Sequence, residues 1–311
     1  MRTMLTFSGI DFMGKKRIAF ALSMLLLVIS VGSIFIKGLN FGIDFTGGVL
    51  VQVSYPNPAD LPKIRSGLAS AGFGSAQLQN FGTARDVLIR LLPQEGTASS
   101  DAIGEQILAV LAAQDPAVKM GRVEFVGPQV GAELREQGGL AMLFALLFIM
   151  AYVAFRFQWK FSVGAVAALA HDVIITVGFF SVFDLPFDLA VLAAMLAVIG
   201  YSLNDTVVVF DRIRENFLRI RKSDALEVMN VSINQTLSRT LITSMTTLLV
   251  LSALFFLGGE AIHAFAMALI IGVVVGTYSS IYVASSLALA LDVSTQDLMP
   301  PVIDKELDEM P

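Results

Sequence analysis

The side chains able to do chemistry are few, and most lie inside long apolar runs. His171-Asp172 sits near the middle of the run 161–183, and Asn204-Asp205 near the end of the run 187–210. The run 238–257 is preceded by Asn234 and Gln235. It opens with Ser238, Arg239 and Thr240, followed by Thr243, Ser244, Thr246 and Thr247. In a run that crosses a bilayer, an ionisable group at the centre costs about 2.5–3.5 kcal/mol, so each of these residues calls for a reason. Positions 235, 239, 243 and 246 fall on one helical face, a stripe of Gln, Arg, Thr and Thr. Asp205 lies five residues before the end of its run and Arg239 at the start of the next. In antiparallel neighbours the two reach similar depth and can pair.

The chemistry that suits this arrangement is ion transfer. An opposite charge within about 4–6 Å favours an ionised carboxylate and desolvation disfavours it. A carboxylate held between the two effects can take up and release a proton as the arginine moves. Asp205 is the carboxylate and Arg239 the tuning charge, with Asn204 adjoining and Thr243 on the facing stripe. Two plainer readings stay open: a static buried pair that fixes helix register, and an Arg239 that anchors its span at the lipid headgroups. Asp172 either joins the same relay or bonds hydroxyls of neighbouring helices, such as Thr176 one turn on. His171 reads as a packed core residue and His263 as an ordinary outer-loop residue.

Other chemistry is excluded by what the chain lacks. It has no cysteine and two histidines far apart, which argues against disulfides, thiol catalysis and a histidine metal centre. No Ser–His–Asp order, metal set or nucleotide loop can be assembled, so enzymatic activity, a metal and a cofactor are not expected. A net charge of −5 gives no case for nucleic acid.

The elements that must position these residues are membrane spans. The chain is 55% hydrophobic and 15% charged, with mean hydropathy +0.74, and soluble domains carry roughly 25% charged residues. Six segments approach the ~20 apolar residues a span needs: 18–36, 139–155, 161–183, 187–210, 238–257 and 264–290. The second is short and is expected to start a turn earlier. The first follows Lys15-Lys16-Arg17 like a signal peptide, with Ser30-Val31-Gly32 as a weak cleavage pattern. Its apolar run continues through Ile36, so it reads as an uncleaved anchor. Arg2, Lys15, Lys16 and Arg17, then Arg156 and Lys160, then Arg212, Arg214, Arg219, Arg221 and Lys222 mark one side. The loops Asp184–Pro186 and Gly258–His263 carry no Lys or Arg. Both termini are therefore expected in the cytoplasm and residues 38–138 on the other side of the membrane. The expected organisation is 1–37 (head and first span), 38–138 (external domain), 139–292 (five further spans) and 293–311 (cytoplasmic tail).

Within 38–138 the pattern predicts strand 49–54, helix 60–71, strand 76–81, strand 86–92, helix 100–113 and strand 121–126. Val49, Val51 and Val53 alternate with other residues as in a half-buried strand. Asp60 can cap the first helix and Ser99 or Ser100 the second. The order βαββαβ is that of a ferredoxin-like α+β fold. Two glycine-rich segments bracket the domain: GIDFTGG, with Gly42, Asp44, Gly47 and Gly48, and VGPQVGAELREQGG, with Gly127 and Gly131. They read as hinges or as plain loop-to-helix joins; GIDFTGG lacks the ending of a phosphate loop. In the last span Ala264, Ala268, Gly272, Gly276, Ser280, Ala284 and Ala288 recur every four residues as a packing face.

The motifs together resemble those of the SecF family, the smaller membrane subunits of bacterial SecDF protein-export complexes. The carrying segments are GIDFTGG, VGPQVGAEL, HDVIITVG, AVIGYSLNDTVVVFDRIRE and INQTLSRTLITS, spread over essentially the whole chain. The resemblance implies a six-helix half of the RND type bearing a ferredoxin-like periplasmic domain. The protein would be multi-pass in the bacterial inner membrane and would use the proton or sodium gradient to drive preproteins outward. SecD is the implied partner half, with the SecYEG channel, the SecA ATPase and YajC as further partners. The family's essential aspartate and arginine match Asp205 and Arg239, and a third essential carboxylate belongs to SecD. A competing reading with the same charged core is an RND-type exporter half for small molecules or lipids; another is a passive scaffold.

Overall fold

The computed structural model describes residues 9–92, 100–157, 159–220, 224–259 and 262–293. Among the described residues, six helices are long and apolar enough to cross a membrane. They comprise α1 (Lys16–Ile36), α5 (Pro128–Arg156), α6 (Trp159–Val182), α7 (Leu189–Arg219), α8 (Ala225–Leu257) and a last span built from α9 (His263–Ser279), a π-helical turn (Ser280–Ala284) and α10 (Ser285–Ala290). The third, fourth and sixth spans are the most buried and form the centre, with α1, α5 and α8 around them.

Between α1 and α5 come β1 (Asn40–Phe41), α2 (Ile43–Thr46), β2 (Gly48–Ser54), α3 (Leu61–Ser70), β3 (Gln77–Phe81), β4 (Thr83–Leu91), α4 (Ser100–Ala112) and β5 (Lys119–Val126). The antiparallel sheet has the order β3-β4-β2-β5, with Val51 opposite both Ile89 and Val123. This is the ferredoxin-like order. Val49, Val51 and Val53 point with Val87, Ile89 and Leu91 into a core closed by Ile64 and Leu68 of α3 and Ile103, Ile107 and Leu111 of α4. The Asp60 carboxylate caps α3, accepting the Lys63 N–H at 3.2 Å. Ser99 lies outside the described residues, as do the ends of the chain and the cluster Arg221-Lys222.

Several elements depart from the expected organisation. Helix α5 begins at Pro128, about three turns before Gly139 where the sequence predicts a single turn, because Gly127 is extended and Pro128 occupies the first turn, where a missing N–H costs nothing. Helices α7 and α8 run past the apolar runs to Arg219 and back to Ala225. Their extensions hold each other through Ile213, Phe217, Val228, Met229 and Ile233, with Phe12 and Met13 wedged against the same core. Asn230 Oδ1 accepts the Met13 N–H at 2.9 Å, tying the segment before α1 to α8. Finally, β6 (Pro186–Phe187) pairs in parallel with β1 just outside the bundle, and GIDFTGG folds into the single turn α2.

The small-residue face of the last span meets this chain's own helices. A Cβ at Gly272 would fall 2.1 Å from a Val198 methyl, and one at Gly276 would fall 3.0 Å from Ser202 Cβ. Gly178 of α6 faces Ser30 of α1 in the same manner: a Cβ there would fall 2.6 Å from the Ser30 Cα. Backbones approach this closely only where side chains are absent or small.

Candidate functional site

Helix α7 buries Val198, Ile199, Ser202, Asp205, Thr206 and Val209, spaced three and four apart, so one face of the helix carries both apolar packing and the carboxylate. Asp205 is only 3% exposed, and its Oδ2 makes no hydrogen bond. Thr206 Oγ1 on the same helix and Thr240 Oγ1 on α8 are also buried without a partner. Arg239 is the cation whose field reaches Asp205. Its side chain is exposed, and among the described residues no ion pair within 4.0 Å joins the two. The structure thus brings the expected pair into one neighbourhood without closing it.

The other stripe residues are placed unequally. Asn204 is exposed. Thr243 Oγ1 lies 3.0 Å from the carbonyls of both Arg239 and Thr240, so its proton is spent on its own helix. Thr246 does the same with Ile242 and Thr243. Gln235 accepts from Asn216 of α7 at 2.9 Å. Gln235, Arg239 and Thr246 remain exposed, which leaves a polar face on a membrane helix.

Asp172 is fully buried and fully bonded. Its Oδ2 accepts from Ser202 at 2.6 Å and Ser279 at 2.7 Å, and its Oδ1 lies 3.0 Å from His171 Nδ1. The far nitrogen of His171 is 3.2 Å from Ser23 Oγ, which is 3.0 Å from the Tyr278 hydroxyl. The expected partner Thr176 instead donates to the Asp172 backbone carbonyl at 2.7 Å, as a threonine one helical turn on commonly does. The network joins α1, α6, α7 and the last span, and Ser202 lies one turn from Asp205. Sequence spacing did not disclose Ser202 and Ser279, because a serine in an apolar helix reads as a small packing residue until its neighbour is known.

The glycine segments meet at the end of the bundle that carries the sheet domain. Asp44 Oδ2 accepts the N–H of Leu189, the first residue of α7, at 3.0 Å, and Asp188 Oδ1 accepts that of Val191 at 2.8 Å. Burial pushes the Asp188 carboxyl above its ordinary range, and the neighbouring charge of Asp44 pushes the same way, against the hydrogen bond from Val191. Gly47 and Gly48 have φ of +70° and +128°. A Cβ on Gly131 would fall 2.7 Å from Gly47 N, and one on Gly42 would fall 3.0 Å from Asp188 Cβ. Gly127 is open around its Cα and serves as the extended residue before α5. Arg90, half-buried on β4, reaches Thr46 and Asn40; burial lowers its pKa. Nothing in the sequence pattern singled out Arg90.

Residues 106–294 match the family described as "Protein export membrane protein SecD/SecF, C-terminal", and residues 32–59 match the "SecD/SecF GG Motif". The chain is 53% identical to the protein translocase subunit SecF of Vibrio alginolyticus, over 97% of both chains. It is 51% identical to that of Pseudomonas aeruginosa, over 97% of this chain and 98% of the other. It resembles the crystal structure of SecDF, a translocon-associated membrane protein of Thermus thermophilus, with TM-score 0.84 and 41% identity over 94% of this chain. It spans 40% of the length of that solved chain.

Proposed function

The chain belongs to the SecF family of protein translocase subunits, and from that premise we propose that it turns an ion gradient into outward movement of preproteins, with Asp205 as the ion-carrying group. The protein-export role itself follows from membership. The observation that supports the coupling is the buried Asp205 Oδ2 with no donor, beside an Arg239 that does not reach it. A buried carboxylate oxygen without a donor is costly. It is relieved by taking up a proton or cation, or by closing on the guanidinium. Exchange between those arrangements is a switch, and the work available is adequate: one charge crossing about 100 mV releases about 2.3 kcal/mol. That is of the order of the gap between two conformations.

In this reading SecD supplies the second half of the membrane unit and a further carboxylate. SecYEG, SecA and YajC act upstream or alongside, and the protein lies in the inner membrane with its termini in the cytoplasm and the sheet domain in the periplasm. The exposed polar face of Arg239, Gln235 and Thr246 favours a protein neighbour in the membrane over lipid. The His171–Asp172 network holds the central helices around Asp205, and the glycine segments form the joint to the external domain. The test is export of a secretory precursor into vesicles containing the purified complex, with Na⁺ and pH gradients varied independently. Asp205→Asn is expected to abolish the gradient-driven component; full gradient-driven export by that variant would refute the proposal. Flux of a small solute without precursor movement would favour an exporter instead.

A further inference from the structure

The turn α2 is bonded to both halves of the molecule. On the membrane side, Asp44 Oδ2 holds the first N–H of α7 across 145 residues of sequence. Phe45 is buried in the same cluster as Phe187, Leu192 and Met195. On the sheet side, Arg90 Nη2 donates to Thr46 Oγ1 at 2.8 Å, and Arg90 Nη1 reaches Asn40 Oδ1 at 3.4 Å. Arg90 stands on β4, which pairs with the central strand β2. The covalent link from α2 is Gly47, followed by Gly48 as the first residue of β2, both with positive φ. Two such glycines alone would make a loose swivel. Here the cross-bonds stiffen it, and Gly47 is wedged against Pro128, whose Cα lies 2.8 Å from where a Cβ would stand. A cleft of about 780 Å³, lined by Asp44, Thr46, Leu50, Leu88, Arg90 and Asp188 among others, separates the sheet from the bundle and leaves it room to move.

We infer that α2 is a stiff crank between the ion-coupling helix and the external sheet, with Asp44, Thr46 and Arg90 as its positioning residues. The inference rests on the export reading above, since α7 is the helix that carries Asp205. At 1.5 Å per residue the carboxylate lies roughly 24 Å along α7 from the Asp44 bond, so a small tilt at Asp205 becomes a displacement at the joint. The hydrogen bonds Asp44–Leu189 and Arg90–Thr46 act in series and carry that displacement to β4.

The experiment uses the complex of the full chain with its membrane partner in proteoliposomes. Gradient-driven export is measured against export without a gradient. In parallel, spin labels at Ser66→Cys on α3 and Leu257→Cys at the outer end of α8 report the distance between sheet and bundle; the native chain has no cysteine to remove. Asp44→Ala, Arg90→Ala and Thr46→Val are each expected to lower the gradient-driven component by roughly five-fold, the equivalent of one net hydrogen bond, and to broaden the distance distribution. The double variant Asp44→Ala/Arg90→Ala is expected to be no worse than either single one. Asp44→Asn keeps an oxygen for the Leu189 N–H and is expected to keep most of the coupling. Native coupling and distance distribution in Thr46→Val and Asp44→Ala would overturn the crank, as would equal losses in Asp44→Asn and Asp44→Ala. If Asp205→Asn exports normally in the same preparation, the motor reading fails and not the crank alone.

Discussion

At the scale of the residue, two buried carboxylates among the described residues of the bundle, Asp172 and Asp205, differ in how their oxygens are bonded. Asp172 has partners for both oxygens: Ser202 and Ser279 donate to Oδ2, and His171 Nδ1 lies 3.0 Å from Oδ1. Asp205 has a buried oxygen with none. A satisfied polar network rigidifies what it joins, whereas an unsatisfied one has a reason to change state. Outside the spans, Asp188 offers a test of the electrostatics at the joint. Burial, and after it Asp44, raise its pKa in the folded protein above the ordinary 3.8. The folded state therefore holds its proton more tightly than the unfolded state does, and stability falls as pH rises through the window above 3.8. Asp188→Asn keeps an acceptor for Val191 and removes the charge. Its melting temperature in detergent is expected to exceed the native value near pH 8, with the difference fading as pH falls toward 4. A difference that does not depend on pH would contradict this account.

At the scale of the element, close approach of backbones organises the molecule. The last span lies against α7 through Gly272 and Gly276, α6 meets α1 through Gly178, and α5 meets α2 through Gly131. The atoms facing Gly131 are backbone atoms, which cannot rotate away as a side-chain tip would. Gly131→Ala would put its Cβ 2.7 Å from Gly47 N. The expected cost is about 1–3 kcal/mol of stability, read as a lowered unfolding midpoint. Gly127→Ala, with nothing within 4 Å of the added carbon, is the matched control and should stay near the native value.

At the scale of the whole molecule, the bundle is a half that exposes what a membrane would not welcome. Helix α8 presents Arg239, Gln235 and Thr246 at its surface alongside Ile242, Met245 and Leu249. Polar residues in spans commonly face a protein interior or an aqueous path. Thr246→Cys is therefore expected to react with a membrane-permeant thiol reagent in the isolated chain and to be protected once the partner half is assembled. Equal labelling in both states would show that the α8 face is not the interface.

How much of this was legible in advance follows from the range of each interaction. Six apolar runs, the alternation Val49-Val51-Val53 and the cap at Asp60 are local properties of the chain, and local physics sufficed to read them. The polar residues within spans were legible too, because any charge in hydrocarbon must be accounted for wherever it sits. What local reading missed was set by partners remote in sequence: Ser202 and Ser279 on Asp172, Asp44 on the first N–H of α7, and Arg90 on Thr46. The same holds for the glycines, whose spacing announced a close contact or a turn without saying which, until Pro128 and the Gly47 backbone were seen against them. By itself, then, the sequence determined how many segments are apolar enough to span a membrane, the order of the strands and helices in the sheet domain, and which carboxylates carry an energetic penalty. Only the tertiary structure decided which of those carboxylates is satisfied and how the sheet domain is bolted to the helix of Asp205, because a hydrogen bond is specified by direction and distance in space, and residues 145 apart acquire both only when the chain has folded.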